Sequence, residues 1–170
     1  MSSVTSSPSA VDLPSAWEAV TRSVPPSRGT KRDLLRMSRE IERTAVAAGA
    51  TAVLVTFQEK RHLTAASRAS YGRLARAGVR VHAFARGLVS DYRPDSAGLV
   101  HVALLPKDPL VLEWDVVVLG PRPTAFVARD LAPGSAVADD ERPFSWARTD
   151  DPRLVDAAAA ALLARVPVAA

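Results

Sequence analysis

The fold is decided by the stretch Asp108–Pro121, DPLVLEWDVVVLGP. Between 110 and 119 it is almost entirely apolar and rich in β-branched residues, and it lies between a Pro-containing turn and a Gly-Pro turn. Such a run is typical of a strand covered on both faces, so we predict that it forms the middle of a sheet. Buried carboxylates are costly unless another group pairs with them, yet Glu113 and Asp115 stand within this run. The strand that carries these acids and Trp114 is therefore the first candidate for a site.

Length and composition indicate one folded domain. A chain of 170 residues suits a domain that buries roughly 70% of its unfolded surface. Its 48% hydrophobic and 24% charged residues are typical of a globular chain. The sequence has neither an apolar run of about 18 residues nor a basic segment followed by an apolar core at its start, so no membrane span or secretory signal is predicted. Because cysteine is absent, disulfides and thiol catalysis are excluded and a cytoplasmic location is expected.

The chain divides into three predicted parts. Residues 1–29 are rich in Ser, Pro and Thr and are predicted to form a flexible arm with a short helix around Trp17. This helix either docks on the domain or finds a partner, and we favour docking because a lone exposed tryptophan is uncommon. Residues 30–166 form the domain, and residues 167–170 form a tail.

Helix and strand patterns alternate along the domain. The predicted strands lie at 51–57, 79–84, 99–105, 110–119, 123–129 and 144–148. The predicted helices lie at 30–48, where Thr30 and Asp33 resemble a capping box, at 64–77, and at 152–165 after a cap at Thr149 or Asp150. The order strand, helix, strand from 51 to 84 predicts a parallel crossover. The fold class is therefore α/β, a mixed sheet of five or six strands with helices packed on it.

The first long helix has two opposed faces. Leu34 and Ile41 belong to an apolar stripe, whereas a second stripe consists of Arg32, Arg36, Arg39 and Arg43. Four aligned arginines are candidates for binding phosphates or an acidic protein partner. The simpler interpretation, which we favour, is a solvated face flanked by acidic residues. Either way we expect the arginines to face solvent or a partner and the apolar stripe to be buried.

A polar loop follows the strand at 51–57. Residues 58–62, QEKRH, stand at the carboxyl end of that strand, where ligands commonly bind in open α/β sheets. We predict a polar pocket edged by Gln58, Arg61, Arg68 and Tyr71, with His62 as a further contact. The histidines share no metal-ligand spacing, and neither a phosphate loop nor a nucleophile motif is present. No metal site and no catalytic residue are predicted, and the sequence specifies no cofactor.

The two acids of the central strand have two interpretations. They are two positions apart on one strand, so they share a face and lie about 6.5–7 Å from each other along it. That separation suits acid–base chemistry. The interpretation that we favour is that arginines of neighbouring strands hold both. A turn at 120–122 would set Glu113 opposite Arg129, with Asp115 opposite Val127. Arg129 would then neutralise Glu113 and keep donors for a ligand, while Trp114 points to the other face.

In their order, several short motifs resemble one family. Phe57-Gln58 ends the first strand, Arg68 and Tyr71 stand on the following helix, and Glu113-Trp114 stands in a later strand. Over residues 31–165 this arrangement resembles the DICT sensory domain of bacterial signalling proteins. The resemblance implies a sensory input module, a domain that occurs beside diguanylate cyclases, two-component proteins and transcription factors. No output domain accompanies it here, so a stand-alone copy or a fragment would act by binding something else.

The favoured function is accordingly a non-catalytic sensory module that binds a small ligand or a signalling partner. A signalling protein or transcription factor is the expected partner, and a homodimer stays open. One alternative is a small enzyme that uses Glu113 and Asp115 as an acid–base pair. The other is a nucleic-acid-binding accessory protein that uses the arginine stripe, which we disfavour because a net charge of +4 is weak support for it.

Overall fold

The computed structural model describes residues 12–168. The α-helices in this part of the chain are α1 (Ala16–Thr21), α2 (Lys31–Ala45), α3 (Ala65–Arg76) and α4 (Pro152–Leu163). The strands are β1 (Ser27–Thr30), β2 (Ala52–Glu59), β3 (Arg80–Arg86), β4 (Leu99–Leu104), β5 (Glu113–Leu119), β6 (Thr124–Asp130) and β7 (Pro143–Thr149).

All these strands form one mixed sheet with β5 at its centre. The order across the sheet is β1-β7-β6-β5-β2-β3-β4. Strands β2, β3 and β4 run parallel, and every other neighbouring pair is antiparallel. The predictions of a mixed α/β fold, of a central strand after Asp108 and of a parallel crossover through α3 are confirmed.

The helices cover the sheet in two layers. On one face, α2 and α3 pack against residues such as Val53 and Val116. On the other face, α1 and α4 pack against their sequence neighbours, such as Leu54 and Val117. Since successive side chains of a strand point to opposite faces, each apolar strand supplies two separate cores.

The sheet has seven strands rather than five or six. The missing strand is β1, which pairs antiparallel with β7. It escaped prediction because SRGT is not a β-branched run. Within the predicted N-terminal arm, α1 and β1 both belong to the fold, while residues 1–11 lie outside the described residues, as do residues 169–170 of the predicted tail.

The helix caps follow short-range rules with one exception. Thr30 and Asp33 form the predicted capping box of α2. For α4, the predicted cap at Thr149 or Asp150 is wrong, because the Asp151 side chain accepts the N–H of Arg153. Thr149 instead accepts the N–H of Asp151 and shapes the turn before the helix.

A buried ion pair joins the segment before β5 to the residue that follows α4 by two positions, and this residue also contacts the segment before α1. The Nε and Nη2 of Arg165 donate to the two carboxylate oxygens of Asp108 at 3.0 and 3.1 Å. The same guanidinium donates to the carbonyl oxygens of Leu13 and Pro14, at 3.4 and 2.6 Å, which lead into α1. Arg165 therefore holds α1, α4 and the start of the central strand in one arrangement.

The loop between β3 and β4 folds back along the edge of β4. A carboxylate oxygen of Asp95 accepts the N–H of Leu99 at 3.0 Å, and the Ser90 hydroxyl accepts the N–H of Ala103 at 2.8 Å. The carbonyl oxygen of His101 accepts the N–H of Asp91 at 3.1 Å. Much of the outer side of β4 is thus bonded to its own loop.

Within residues 12–168, no helix combines the length and the apolar content that crossing a bilayer requires.

Arg165→Met is expected to lower the free energy of unfolding by about 3–5 kcal/mol, since it leaves the Asp108 carboxylate buried without its cation. The two side chains are only 3% and 1% exposed, so water does not replace the lost charge. Urea denaturation measures the change. Arg153→Met is the matched control on α4, because the Arg153 side chain is 93% exposed and its loss should change stability by less than about 0.5 kcal/mol. Similar small losses in both variants would contradict the role given to Arg165.

Candidate functional site

A cavity of about 990 Å³ opens between α2 and α3. One wall comes from residues 31–43 of α2, and the other comes from residues 64–73 at the start of and along α3. The carboxyl end of β2, at 56–58, closes one side, and Trp114, Arg142 and Phe144 complete the lining. We call this cavity the α2–α3 cleft.

Gln58 stands at the cleft in a strained backbone conformation. Its φ of 55° lies in the left-handed region, which a side chain with a Cβ rarely adopts. It lies within an irregularity in the pairing of β2 with β3, between Thr56 and Glu59. Its amide nitrogen donates to Asp130 at 3.4 Å, and the same carboxylate pairs with Arg142. Backbone strain of this kind is often found at functional sites.

A carboxylate on α2 joins the two walls of the cleft. Glu42 accepts hydrogen bonds from the Ser70 hydroxyl at 2.8 Å and from the Tyr71 hydroxyl at 2.7 Å. Burial and the neighbouring Glu42 raise the pKa of Tyr71 well above its usual value, so its hydroxyl keeps the proton that it donates. The Tyr71 ring packs edge-on against Phe57 with 5.7 Å between centroids.

His62 lines the cleft in a neutral form. Burial lowers its pKa, so the ring is uncharged at neutral pH. Its Nδ1 is 3.0 Å from the carbonyl oxygen of Phe57, which can only accept, so Nδ1 carries the hydrogen. The other ring nitrogen is then a hydrogen-bond acceptor.

The arginine stripe of α2 faces the same cleft. Leu34 and Ile41 are buried, as predicted. The four members of the stripe are exposed and all line the cavity: Arg32, Arg36, Arg39 and Arg43. The structure thus brings together two groups of residues that the sequence had assigned to different roles. Gln58, His62, Tyr71 and Trp114 line one cavity with the four arginines.

Two residues of the predicted pocket lie elsewhere. Arg61 is exposed and donates to Glu59 at 2.7 Å, away from the cavity lining. Arg68 is on the side of α3 that faces the β3–β4 loop, where it pairs with Asp95 at 3.0 Å. The ion pair with Asp95 holds Arg68 toward this loop, whereas Tyr71 bonds to Glu42 in the cleft.

Glu113 and Asp115 lie on the opposite face of the sheet from the cleft. They are 1% and 0% exposed. A carboxylate oxygen of Glu113 accepts the backbone N–H of Trp17 at 2.8 Å, and the Ser15 hydroxyl also hydrogen-bonds to this carboxylate. Helix α1 therefore supplies the donors that the acid requires.

The predicted register of β5 with β6 is confirmed, but the predicted ion pair is wrong. Glu113 stands opposite Arg129, and Asp115 stands opposite Val127. Yet among residues 12–168 Glu113 forms no ion pair, and Arg129 is exposed and contributes only a weak charge attraction. The expectation that arginines hold both acids fails because α1 covers this face and supplies hydrogen-bond donors instead.

Burial raises the pKa of both acids. Burial raises the pKa of Glu113 to about 7. Burial and the adjacent Glu113 raise the pKa of Asp115 well above its usual value, so Asp115 stays protonated at neutral pH. The Oδ1 atom of Asp115 has no hydrogen-bond partner among residues 12–168, so a protonated carboxyl group is less costly to bury here than a carboxylate.

Several lining residues were missed by sequence reasoning. Arg73 follows Ser70 by one helical turn, a spacing that indicates a shared face of α3, but nothing in the sequence relates that face to α2. Arg142 comes from the loop before β7 and is positioned by Asp130 and by the Phe144 ring, 5.6 Å away. Glu42 was overlooked because it was treated as one of the acidic residues that flank the arginine stripe, and Lys31 was not considered.

A protein-family model matches residues 13–130, and it describes DICT, a sensory domain in diguanylate cyclases and two-component systems. No curated protein matches the chain. Among solved structures, a crystal structure of polyphosphate kinase from Porphyromonas gingivalis is similar, with a TM-score of 0.45 and 20% identity. The similarity covers 72% of this chain but only 19% of the kinase chain.

The contribution of Glu113 to the free energy of unfolding is expected to fall as the pH rises from about 4.5 to about 7. Its folded pKa of about 7 lies above the unfolded value, so the folded state holds the proton more tightly in that window and loses the advantage above it. Relative to Glu113→Gln, the free energy of unfolding should decrease by roughly 3 kcal/mol between pH 4 and pH 8. Urea denaturation of both proteins at several pH values measures this difference. A difference that stays constant with pH would show that Glu113 ionises normally.

Gln58→Gly is expected to give a protein more stable than Gln58→Ala by about 1 kcal/mol, because glycine adopts a left-handed φ without steric cost. Both variants lose the amide contact with Asp130, so the comparison isolates the backbone strain. Urea denaturation measures both. Equal stabilities, or a more stable alanine variant, would show that this position carries no such strain.

Proposed function

The chain belongs to the DICT family of sensory domains, and on that premise we propose that it is a non-catalytic sensory module that binds a small ligand in the α2–α3 cleft. The proposal is carried by one observation. A cavity of about 990 Å³ is at the upper end of the size typical of small-molecule sites, about 300–1,000 Å³, and its lining combines aromatic and other apolar residues with polar and charged groups. We also propose a cytoplasmic location, which the absence of cysteine supports.

The position of the acids favours binding over catalysis. Glu113 and Asp115 are both buried and do not line the cleft. A substrate in the cleft would be separated from them by the sheet itself, since they point toward α1 and Trp114 points toward the cleft. The residues that do line the cleft offer hydrogen-bond donors, positive charge and aromatic rings, which are binding groups.

The partner that we propose is a signalling protein of the kind the family description mentions, a diguanylate cyclase or a two-component protein, with a transcription factor as a further candidate. Helix α2 connects the cleft to the outside. Its exposed N-terminal end pairs with the acidic turn Asp139–Glu141 through Lys31 and Arg32. A ligand that draws these cations inward would release the turn, and the partner would detect the changed surface.

Ala69→Trp is expected to abolish ligand binding while leaving the fold intact. Ala69 is exposed on α3 and lines the cleft, so the indole occupies part of the cavity and obstructs a ligand without entering the core. The purified protein is exposed to a low-molecular-weight metabolite extract, and native mass spectrometry measures any bound mass. The wild type should carry a bound small molecule, and the variant should not.

Ala157→Trp is the matched control. Ala157 is exposed on α4, on the other side of the sheet, so the same enlargement should leave the bound mass unchanged. Both variants should differ from the wild type by less than about 0.5 kcal/mol in unfolding free energy. A bound mass that survives in Ala69→Trp would show that the ligand binds elsewhere, and a bare wild-type chain would contradict the proposal.

A further inference from the structure

We infer that the ligand of the α2–α3 cleft is a small organic anion, with a phosphate or carboxylate group held by Arg39, Arg43 and Arg73 and a planar ring placed against Trp114 and Phe57. This inference rests on the proposed function and specifies the chemistry of the same site.

Positive charge dominates the cleft lining. Among the described lining residues, Glu42 is the one carboxylate. Seven cationic side chains line the cleft: Lys31, Arg32, Arg36, Arg39, Arg43, Arg73 and Arg142. The four of these that pair with acids are accounted for within the fold. Lys31 pairs with Asp139, Arg32 with Asp140 and Glu141, Arg36 with Asp33, and Arg142 with Asp130 and Asp139.

The other three arginines have no such partner. Across residues 12–168, no acidic group lies within 4.0 Å of Arg39, Arg43 or Arg73. Each is exposed and each lines the cleft. Even after the charge of Glu42 is counted, this part of the cavity carries a surplus of positive charge that an anion would neutralise.

These three arginines line one cavity from both of its walls, and the hydrogen bonds of Glu42 hold the two walls together. Arg39 and Arg43 are four residues apart on α2 and therefore share a face. Glu42, next to Arg43, accepts the hydroxyl of Ser70 at 2.8 Å, and Arg73 stands one turn after Ser70 on α3. The arginines therefore approach the cavity from both walls, and guanidinium groups bind phosphate and carboxylate through paired hydrogen bonds.

The aromatic lining gives the ligand its second part. Trp114 is half-buried in the lining, and its ring packs edge-on against Phe144 at 6.1 Å. Phe57 lies against Tyr71 in the same cavity. Rings held edge-on by their neighbours keep fixed faces, and such faces are suited to stacking a planar group.

The placement of the acids favours a small anion over a long polyanion. The acidic turn Asp139–Glu141 neutralises Lys31 and Arg32 at one end of α2. An extended nucleic-acid backbone that followed the arginine stripe would meet these carboxylates and be repelled. The unneutralised charge is confined to the remaining part of the cleft, which suits a single anionic group.

The test compares three probes by isothermal titration calorimetry: 1-naphthyl phosphate, uncharged 1-naphthol and inorganic phosphate. The wild type should bind 1-naphthyl phosphate at least tenfold more tightly than either of the other two. Arg39→Gln, Arg43→Gln and Arg73→Gln should each weaken its binding by about tenfold, the usual consequence of losing a hydrogen bond to a charged group. Together they should reduce it to the level of 1-naphthol.

Arg76→Gln is the matched control, since Arg76 is exposed in the same last turn of α3 as Arg73 but does not line the cleft. It should bind 1-naphthyl phosphate like the wild type. Trp114→Leu should weaken 1-naphthyl phosphate while leaving inorganic phosphate unchanged, and this ratio separates loss of the ring contact from a general loss of folded protein.

Three results would overturn the inference. If 1-naphthol binds as tightly as 1-naphthyl phosphate and the three arginine substitutions change nothing, the cleft takes an uncharged ligand, and the proposed function stands without this refinement. If a twelve-nucleotide single-stranded DNA binds through the same arginines more tightly than 1-naphthyl phosphate, the site is a nucleic-acid surface. Failure of all probes to bind would contradict the inference alone, because the proposed function is tested separately by the mass bound to the wild type in native mass spectrometry.

Discussion

Two carboxyl groups in the central strand determine how one whole face of the sheet is covered. Glu113 and Asp115 cannot be left in an apolar layer without hydrogen-bond donors, because desolvation of an unpaired acid is costly. The fold meets this requirement with α1, whose backbone N–H at Trp17 and cap residue Ser15 bond to Glu113. The position of α1 depends in turn on Arg165, which joins residues 13 and 14 to Asp108. Helices α1 and α4 thereby cover this face of the sheet, and the cleft lies on the other face.

The alternation of side chains along β5 separates structure from recognition. Glu113 and Trp114 are adjacent in sequence, yet the acid is sealed beneath α1 while the indole lines the α2–α3 cleft. A short motif can therefore contain one residue that stabilises the fold and another that contacts a ligand. The same division applies to α3, where Arg68 holds a loop and Tyr71 joins the walls of the cleft.

Local patterns in the sequence were sufficient for the helices, the central strand and the register of the β5–β6 pair. The Gly-Pro turn limits how β5 can meet β6, so the position opposite Glu113 followed from counting. The partner of Glu113 could not be predicted in this way, since it is a backbone N–H 96 residues away in sequence, and no side-chain pattern identifies it. Strand β1 was missed for a similar reason. Its sequence, SRGT, is not a β-branched run, and its backbone is held as a strand by pairing with β7, which is distant in sequence. The arginine stripe was recognised, but its position beside Gln58 and Tyr71 depends on how α2 packs against α3.

The loop that folds back along β4 has a consequence for how molecules of this protein meet one another. An edge strand with free N–H and C=O groups is a template on which a second sheet can grow, and this is a common origin of aggregation. Here Asp95, Ser90 and Asp91 bond to the outer side of β4, and Arg68 and His101 anchor Asp95 from the side. The loop takes the place that an eighth strand would occupy, so the fold protects itself against growth from this edge by using its own chain.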